Sequence, residues 1–260
     1  MMPALELPLG CRLQLVSGYD TDQLGTFTRD TSRTGSQLDA AQRKARIGMQ
    51  LSGLPVGLAS EGSFGPDPWS GMFPWNVEMV ILVDDRLGVE VVGVAQGAAR
   101  SGQLQTAEWA ALQQFAHQQG FPGHQLVLRP QGSDDPRLDK GLADWEALRA
   151  TFERCRAQAA NAQVFAETDL RASANPTRMA LISDATRDLC ARLQSNCPAC
   201  GLPGYGLVER QPGLPCRDCG SPTQVYRAEL LRCAACQHQE LVSRADRKCA
   251  EPSQCPDCNP

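Results

Sequence analysis

Short apolar runs and amphipathic stretches alternate along the first three-quarters of the chain. Residues 12–17, 54–59, 77–83, 89–95, 124–129 and 162–166 are compact apolar runs of strand length, several of them dense in Val, Leu and Ile. Between them, residues 106–119, 142–159 and 176–193 repeat apolar positions at helical spacing. A further helix is predicted to start at Ser36. Ser36 and Asp39 have the spacing of a capping box, and Leu38, Ala41, Ala45 and Met49 recur on one face up to Ser52 and Gly53. A polar stretch rich in Asp, Thr and Gly, residues 18–35, precedes it. Strands alternating with helices predict an α/β fold over residues 1–194, a mixed sheet covered by helices.

Past residue 194 the pattern changes, and cysteine takes over from apolar periodicity. Nine of the twelve cysteines lie between Cys197 and Cys258, which sets off residues 195–260 as a second module. Four Cys-x-x-Cys pairs occur there: Cys197 and Cys200, Cys216 and Cys219, Cys233 and Cys236, Cys255 and Cys258. Two residues between cysteines let a tight turn aim both thiolates at one ion, and the spacing between pairs is that of a zinc-ribbon module with two four-cysteine sites. Pairing in chain order is the simplest expectation. The run 225–241, which reads as strand, knuckle, strand, leaves open an interleaved pairing that sets the third pair against the first. Cys249 has no Cys-x-x-Cys mate and reads as a spare thiol. So small a module buries little apolar surface, so two structural Zn2+ ions are expected to supply most of its folding free energy.

Composition narrows the partners. Net charge is -4, and only three of the basic residues are lysines, Lys44, Lys140 and Lys248. From Cys197 to Pro260, seven basic residues face seven acidic ones, so the electrostatic footprint of a nucleic-acid binder is missing. The N-terminus has no basic, apolar and small-residue succession of a secretory signal, and no apolar run approaches the roughly 20 residues that span a bilayer. A cytoplasmic protein without membrane segments is expected.

In an α/β fold, sites gather where strands end, and the chemistry-bearing residues of the first module fall at such places. Glu61 and Ser63 follow a strand, in a loop dense in Gly and Pro. His124 begins another. Asp169 and Arg171 follow a third, on alternate positions that face one side. Asn175 and Pro176 have the types of an N-cap and first helical residue. That leaves Arg178 in the first turn, where anions bind and a cation is otherwise disfavoured.

Several segments resemble a bacterial family known as a domain of unknown function with a C-terminal cysteine module. They are residues 20–27 (DTDQLGTF), 60–68 (SEGSFGPDP), 121–124 (FPGH), 169–179 (DLRASANPTRM) and 213–223 (GLPCRDCGSPT). The chain departs from that pattern at Asp67, Leu170 and Ser173, and lacks a turn bearing Thr, His, Lys and Glu ahead of Leu9. A second resemblance is to nucleoside triphosphate pyrophosphohydrolases of the inosine triphosphatase type. It covers Asp39 through Ala45, then Ser52 through Pro55, a strand, and Ala59 through Ser63. It implies that Asp39 and Glu61 help hold a Mg2+ ion and that Lys44 meets phosphate. To these the positions at strand ends and helix starts add Asp169 near the ion, Arg171 and Arg178 on phosphate, and Ser63, His124 and Asn175 in the substrate site. The resulting expectation is a magnesium-dependent phosphohydrolase acting on a nucleotide-like anion. The alternative is a non-catalytic anion-binding or sensing module whose zinc ribbons dock a protein partner.

Overall fold

The computed structural model describes residues 2–19 and 35–260. The polar stretch expected at residues 18–35 and the segment 20–27 fall mostly or wholly outside these. Five helices and ten strands are present among the described residues. They are α1 (Met2–Leu9), α2 (Gln37–Ser52), β1 (Val56–Pro66), β2 (Pro74–Asp84), β3 (Val89–Ala98), β4 (Gln103–Thr106), α3 (Trp109–Gln119), β5 (Leu126–Arg129), β6 (Asp139–Leu142), α4 (Trp145–Gln158), β7 (Val164–Thr168), α5 (Pro176–Leu193), β8 (Tyr205–Pro212), β9 (Tyr226–Cys233) and β10 (Gln239–Ser243). No helix among them is long and apolar enough to cross a membrane.

The mixed α/β reading holds, but the one helix-covered sheet anticipated over residues 1–194 is two sheets, with a third in the cysteine-rich part. The first is an antiparallel meander, β1-β2-β3; the second runs β4-β7-β5-β6; the third runs β10-β9-β8. Residues 12–17, read as a strand, form none. That run contains only three apolar side chains, and among the described residues no strand forms a ladder with it; Leu13 N–H donates instead to Glu6 Oε1 at 2.7 Å. The helix at the N-terminus was not anticipated, because Pro8 sits inside it and the stretch carries no amphipathic period. Strands β4 and β6 are four residues each, too short for a periodic signal.

The meander is buried on both faces, which is why β2 reads as an unbroken apolar run rather than an alternation. One face presents Ala59, Ile81 and Val83 to Ala41, Ala45 and Met49 of α2. The other presents Val80, Val89 and Val91 to Ile182, Ala185 and Leu189 of α5. The Val, Ile, Leu and Met side chains among these contribute about 1.5–3 kcal/mol each when fully buried. Helix α2 begins as the sequence requires, with Ser36 and Asp39 forming a reciprocal capping box, and ends at Gly53 in the left-handed conformation. Two glycines set how closely the helices approach the sheet. A Cβ on Gly57 would lie 2.6 Å from the Ala45 carbonyl oxygen of α2, and a Cβ on Gly93 would lie 2.2 Å from the Ala185 carbonyl oxygen of α5.

The second sheet carries its own core, where Leu112 and Phe115 of α3 and Leu148 and Phe152 of α4 pack on Leu126, Leu128, Val164 and Ala166. Helix α5 connects the two layers. It leaves the second sheet just after β7 and crosses to lie on β2 and β3 of the first. The short segment between β7 and α5 is pinned on the way, with Asp169 N–H donating to the Gln125 carbonyl at 2.9 Å and Gln125 N–H to the Ala174 carbonyl at 3.0 Å.

The fit of α5 over Gly93 gives a direct test. Gly93→Ala is expected to lower stability by about 3 kcal/mol, the upper part of the range for overpacking against backbone, read as a fall in the urea midpoint. Gly97→Ala, whose Cβ would meet only the flexible Leu181 side chain at 3.3 Å, is expected to cost under about 1 kcal/mol. Equal losses at the two positions would show that close helix approach is not what Gly93 provides.

Candidate functional site

Two arrangements of chemistry-bearing residues stand out, a pair of cysteine clusters and a cleft along β1. In the clusters, Cys197, Cys200, Cys233 and Cys236 form one tetrad and Cys216, Cys219, Cys255 and Cys258 the other. This is the interleaved arrangement, and it corrects the expectation of pairing in chain order. The reason is the hairpin. Strands β8 and β9 pair with Tyr205 opposite Cys233, which carries the third knuckle back to the first. The second knuckle is met by the C-terminal segment, where Ala250 N–H donates to the Pro215 carbonyl and Arg217 N–H to the Ala250 carbonyl, at 2.8 and 2.9 Å.

Across the tetrads, sulfurs are separated by 3.7 Å (Cys197 to Cys236), 3.7 Å (Cys200 to Cys233), 3.9 Å (Cys216 to Cys258) and 3.6 Å (Cys219 to Cys255). A tetrahedron with metal–sulfur bonds of about 2.3 Å has edges of about 3.8 Å, so each tetrad could hold one metal ion. At Cys233 and Cys219 the surrounding donors favour the thiolate. Ala235 and Cys236 N–H groups point at Cys233 Sγ at 3.3 and 3.4 Å. Although burial opposes ionisation, these N–H groups bring the Cys233 thiol down to about 7. Hydrogen bonds from Ser221 bring Cys219 down to about 6. In each tetrad one thiol of each knuckle is buried and the other exposed. Cys249 belongs to neither tetrad.

The cleft, about 1220 Å³ in volume, follows the outer side of β1 between α2 and α5. Aliphatic side chains including Leu51, Leu54, Val56 and Leu58 line much of it, and Lys44, Glu61, Arg171 and Arg178 stand at its polar part with Ser60 and Ser173. Lys44 of α2 forms an ion pair with the buried Glu61. Gln37, the first residue of α2, donates through Nε2 to the carbonyls of Glu61 and Val77, at 2.7 and 3.0 Å, and accepts from Ser63 Oγ at 2.9 Å. The start of α2 is thereby fastened to β1 and β2 beside Glu61.

On the other face, Arg178 Nε donates to Glu78 Oε1 at 2.7 Å and its Nη1 to the Leu170 carbonyl at 2.7 Å. Asn175 caps α5, its side chain accepting from Arg178 N–H at 3.0 Å. The cation that looked misplaced in a first helical turn has its acceptors in the neighbouring strand and connecting segment. Asp169 is fully buried; it accepts from Arg171 Nη2 at 2.7 Å, from Arg171 N–H at 3.0 Å and from Gly141 N–H at 3.1 Å. The fork it makes with Arg171 holds that guanidinium at the cleft wall.

The residues expected at one site are therefore divided. Lys44, Glu61, Arg171 and Arg178 line the cleft, whereas Asp39, Ser63, His124, Asp169 and Asn175 are not among its lining residues. Asp39 is exposed and engaged by the N–H and Oγ of Ser36, both at 2.8 Å; these bonds hold its carboxyl below the usual range. His124 Nε2 lies 2.8 Å from Thr177 Oγ1, and burial, with Arg100 nearby, lowers its pKa. Among the described residues, the His, Cys, Asp or Glu groups placed to share one ion are the two tetrads. Asp67 holds the β1–β2 turn by accepting from the N–H groups of Trp69, Ser70, Met72 and Phe73.

Two further residues belong to the cleft's polar framework and were not among those expected there, Gln37 and Glu78. Glu78 lies inside an apolar strand run, where a charged residue flanked by Val77, Met79 and Val80 was itself a mark worth reading. Burial raises its pKa, against the pull of Arg178.

The chain belongs to the family described as a domain of unknown function (DUF6671), whose model matches residues 44–260. That span contains both tetrads and Lys44, Glu61, Arg171 and Arg178 of the cleft, and leaves Asp39 outside. No curated protein and no solved structure matches the chain.

Double substitutions separate the two ways of pairing the knuckles. With metal content measured per chain, Cys197→Ser combined with Cys233→Ser is expected to lose one ion of two, because both residues serve one tetrad. Cys197→Ser combined with Cys216→Ser is expected to lose both. The reverse result would restore pairing in chain order.

Proposed function

We propose that the chain is a zinc-stabilised binding protein for a phosphate-bearing small molecule, with two structural Zn2+ ions in the cysteine tetrads and the ligand in the cleft along β1. The observation that carries the ligand reading is convergence. Lys44 from α2, Arg171 from the segment after β7 and Arg178 from α5 reach one cleft, and Lys44, Arg171 and Arg178 each lie against a carboxylate, of Glu61, Asp169 and Glu78 respectively. Cations fixed in this way meet an anion without the entropy loss of ordering long side chains. The aliphatic walls suit an ester's organic portion.

Zinc is supported by the chemistry of the donors. Four thiolates in a tetrahedral arrangement are soft ligands that close the coordination sphere, the pattern of structural rather than catalytic zinc. In this reading residues 195–260 form a module ordered by metal, and its outer strand β10, exposed along all five residues with Leu241 and Val242 among them, is where a protein partner would add. Cys-x-x-Cys thiolates kept for metal fit a reducing, cytosolic setting.

Hydrolysis of the bound phosphate is the second reading, favoured by Glu61 standing in the same cleft as Lys44. It requires the Glu61 carboxylate to exchange Lys44 for Mg2+, the role that the pyrophosphohydrolase resemblance assigns to it, with Lys44 then turning to phosphate.

A thermal-shift screen of the zinc-loaded protein against nucleotides, sugar phosphates and pyrophosphate, with and without magnesium, tests both. A ligand at a hundred times its Kd is expected to add about 2.7 kcal/mol of stability. Arg171→Gln is expected to weaken binding about tenfold or more, as loss of a charge-assisted hydrogen bond does. Magnesium-dependent product release that Glu61→Gln abolishes would move the reading from binding to catalysis. Silence across the panel would overturn the ligand site.

A further inference from the structure

Glu78 and Asn76 share one face of β2, the face covered by α5, and both are almost completely buried. Asn76 Nδ2 donates to Glu78 Oε1 at 3.0 Å, and Arg178 Nε donates to the same oxygen at 2.7 Å. The remaining two acceptors, Glu78 Oε2 and Asn76 Oδ1, are buried with no hydrogen-bond partner. Two neighbouring buried acceptors without a donor are costly, at about 1–3 kcal/mol each. One proton on Glu78 Oε2, donated to Asn76 Oδ1, would satisfy both and turn the pair into a carboxylic acid–amide dimer.

We propose that Glu78 is the proton-carrying residue of the anion site, taking up a proton to Asn76 Oδ1 when an anionic ligand engages Arg178. This rests on the cleft being an anion site, as argued above. The charged groups around Glu78 set the balance. Arg178 of α5 faces it directly and stabilises the ionised form; Lys44 of α2 acts in the same sense, while Glu61 of β1 and burial itself favour the neutral form. From β3 it is faced by Ala95, its uncharged register partner. An anion drawn to Arg178 weakens the one strong contact that keeps Glu78 ionised and adds a negative charge beside it. Both effects raise the carboxyl's affinity for a proton. The four buried or half-buried charges Lys44, Glu61, Arg178 and Glu78 sum to zero without ligand. With Glu78 protonated they sum to one positive charge, which compensates part of the anion.

The sign of the pH dependence follows. The bound state holds more protons than the free state, so affinity falls as pH rises through the window between the free and bound pKa values of Glu78, by up to about tenfold per pH unit. Titration calorimetry with pyrophosphate, in buffers of different ionisation enthalpy at one pH, counts the protons exchanged. The count for Glu78→Gln, subtracted from that of the wild type, removes protons carried by pyrophosphate itself. Wild type is expected to take up close to one proton more than Glu78→Gln, whose amide mimics the neutral acid and whose affinity should stay high and flat with pH. Asn76→Leu, which removes the proton's acceptor, is expected to reduce uptake even if Glu78→Gln folds poorly. Pyrophosphate binding with equal uptake by all three proteins overturns the role of Glu78 while leaving the anion site intact. No binding to the wild type overturns the site and this inference together.

Discussion

The contact of Arg178 with Glu78 is the point on which the rest of the arrangement turns. It joins the first turn of α5 to the middle strand of the meander, and the same guanidinium reaches the Leu170 carbonyl in the segment leaving the second sheet. One side chain thereby fixes the seating of α5 on the first sheet and its path out of the second. Such a contact is buried, and removal of either partner would leave a buried group without its complement, a loss of about 3–5 kcal/mol in comparable pairs. The helix can accept this seating because Gly93 lets its backbone lie against β3. Packing and electrostatics agree on one position of α5, and the cleft forms between that helix, α2 and the outer side of β1.

The same helix carries the chain to the cysteine tetrads. Leu202, Ala234 and Ala235 pack against the cluster that α5 makes with the meander, so the first tetrad is built onto the α/β core rather than hung from it. The knuckle spans overlap, one running from Cys197 to Cys236 and the other from Cys216 to Cys258. Each tetrad closes a loop that contains part of the other. Neither can form from local sequence alone; the first needs the β8–β9 hairpin, and the second needs the C-terminal segment to return to Pro215–Arg217. A metal that binds only the folded arrangement returns its binding free energy as stability, which suits a three-stranded sheet whose outer strand is fully exposed.

Pairing of Lys44, Arg171 and Arg178 with carboxylates gives this part of the cleft a preorganised but nearly neutral framework. In the proposed binding role, an anion would compete with Glu61, Asp169 and Glu78 for the same donors, and affinity would depend on how easily each carboxylate yields. Asp169, gripped by Arg171 at two nitrogens and by Gly141 N–H, yields least. Glu78, buried with an unpartnered oxygen beside Asn76, has a chemical way to yield that the others lack, by accepting a proton.

Local rules explain what was legible in the sequence. The Ser36 capping box, the boundaries of α5 at Pro176 and Leu193, the apolar strand runs and the four knuckles each depend on residues a few positions apart, and the sequence determined them. Asp169 with Arg171 was legible as a same-side pair for the same reason. What only the tertiary structure decided involves distance along the chain. The knuckles pair across 33 to 42 residues because a hairpin and the C-terminal segment fold back, and spacing alone does not distinguish one pairing from another. The division into three sheets follows from which strands find ladder partners, so residues 12–17 failed as a strand despite their composition. Glu78 and Gln37 entered the site because strand and helix met there; within an apolar run or at a helix start, neither residue's own neighbours say what it will face.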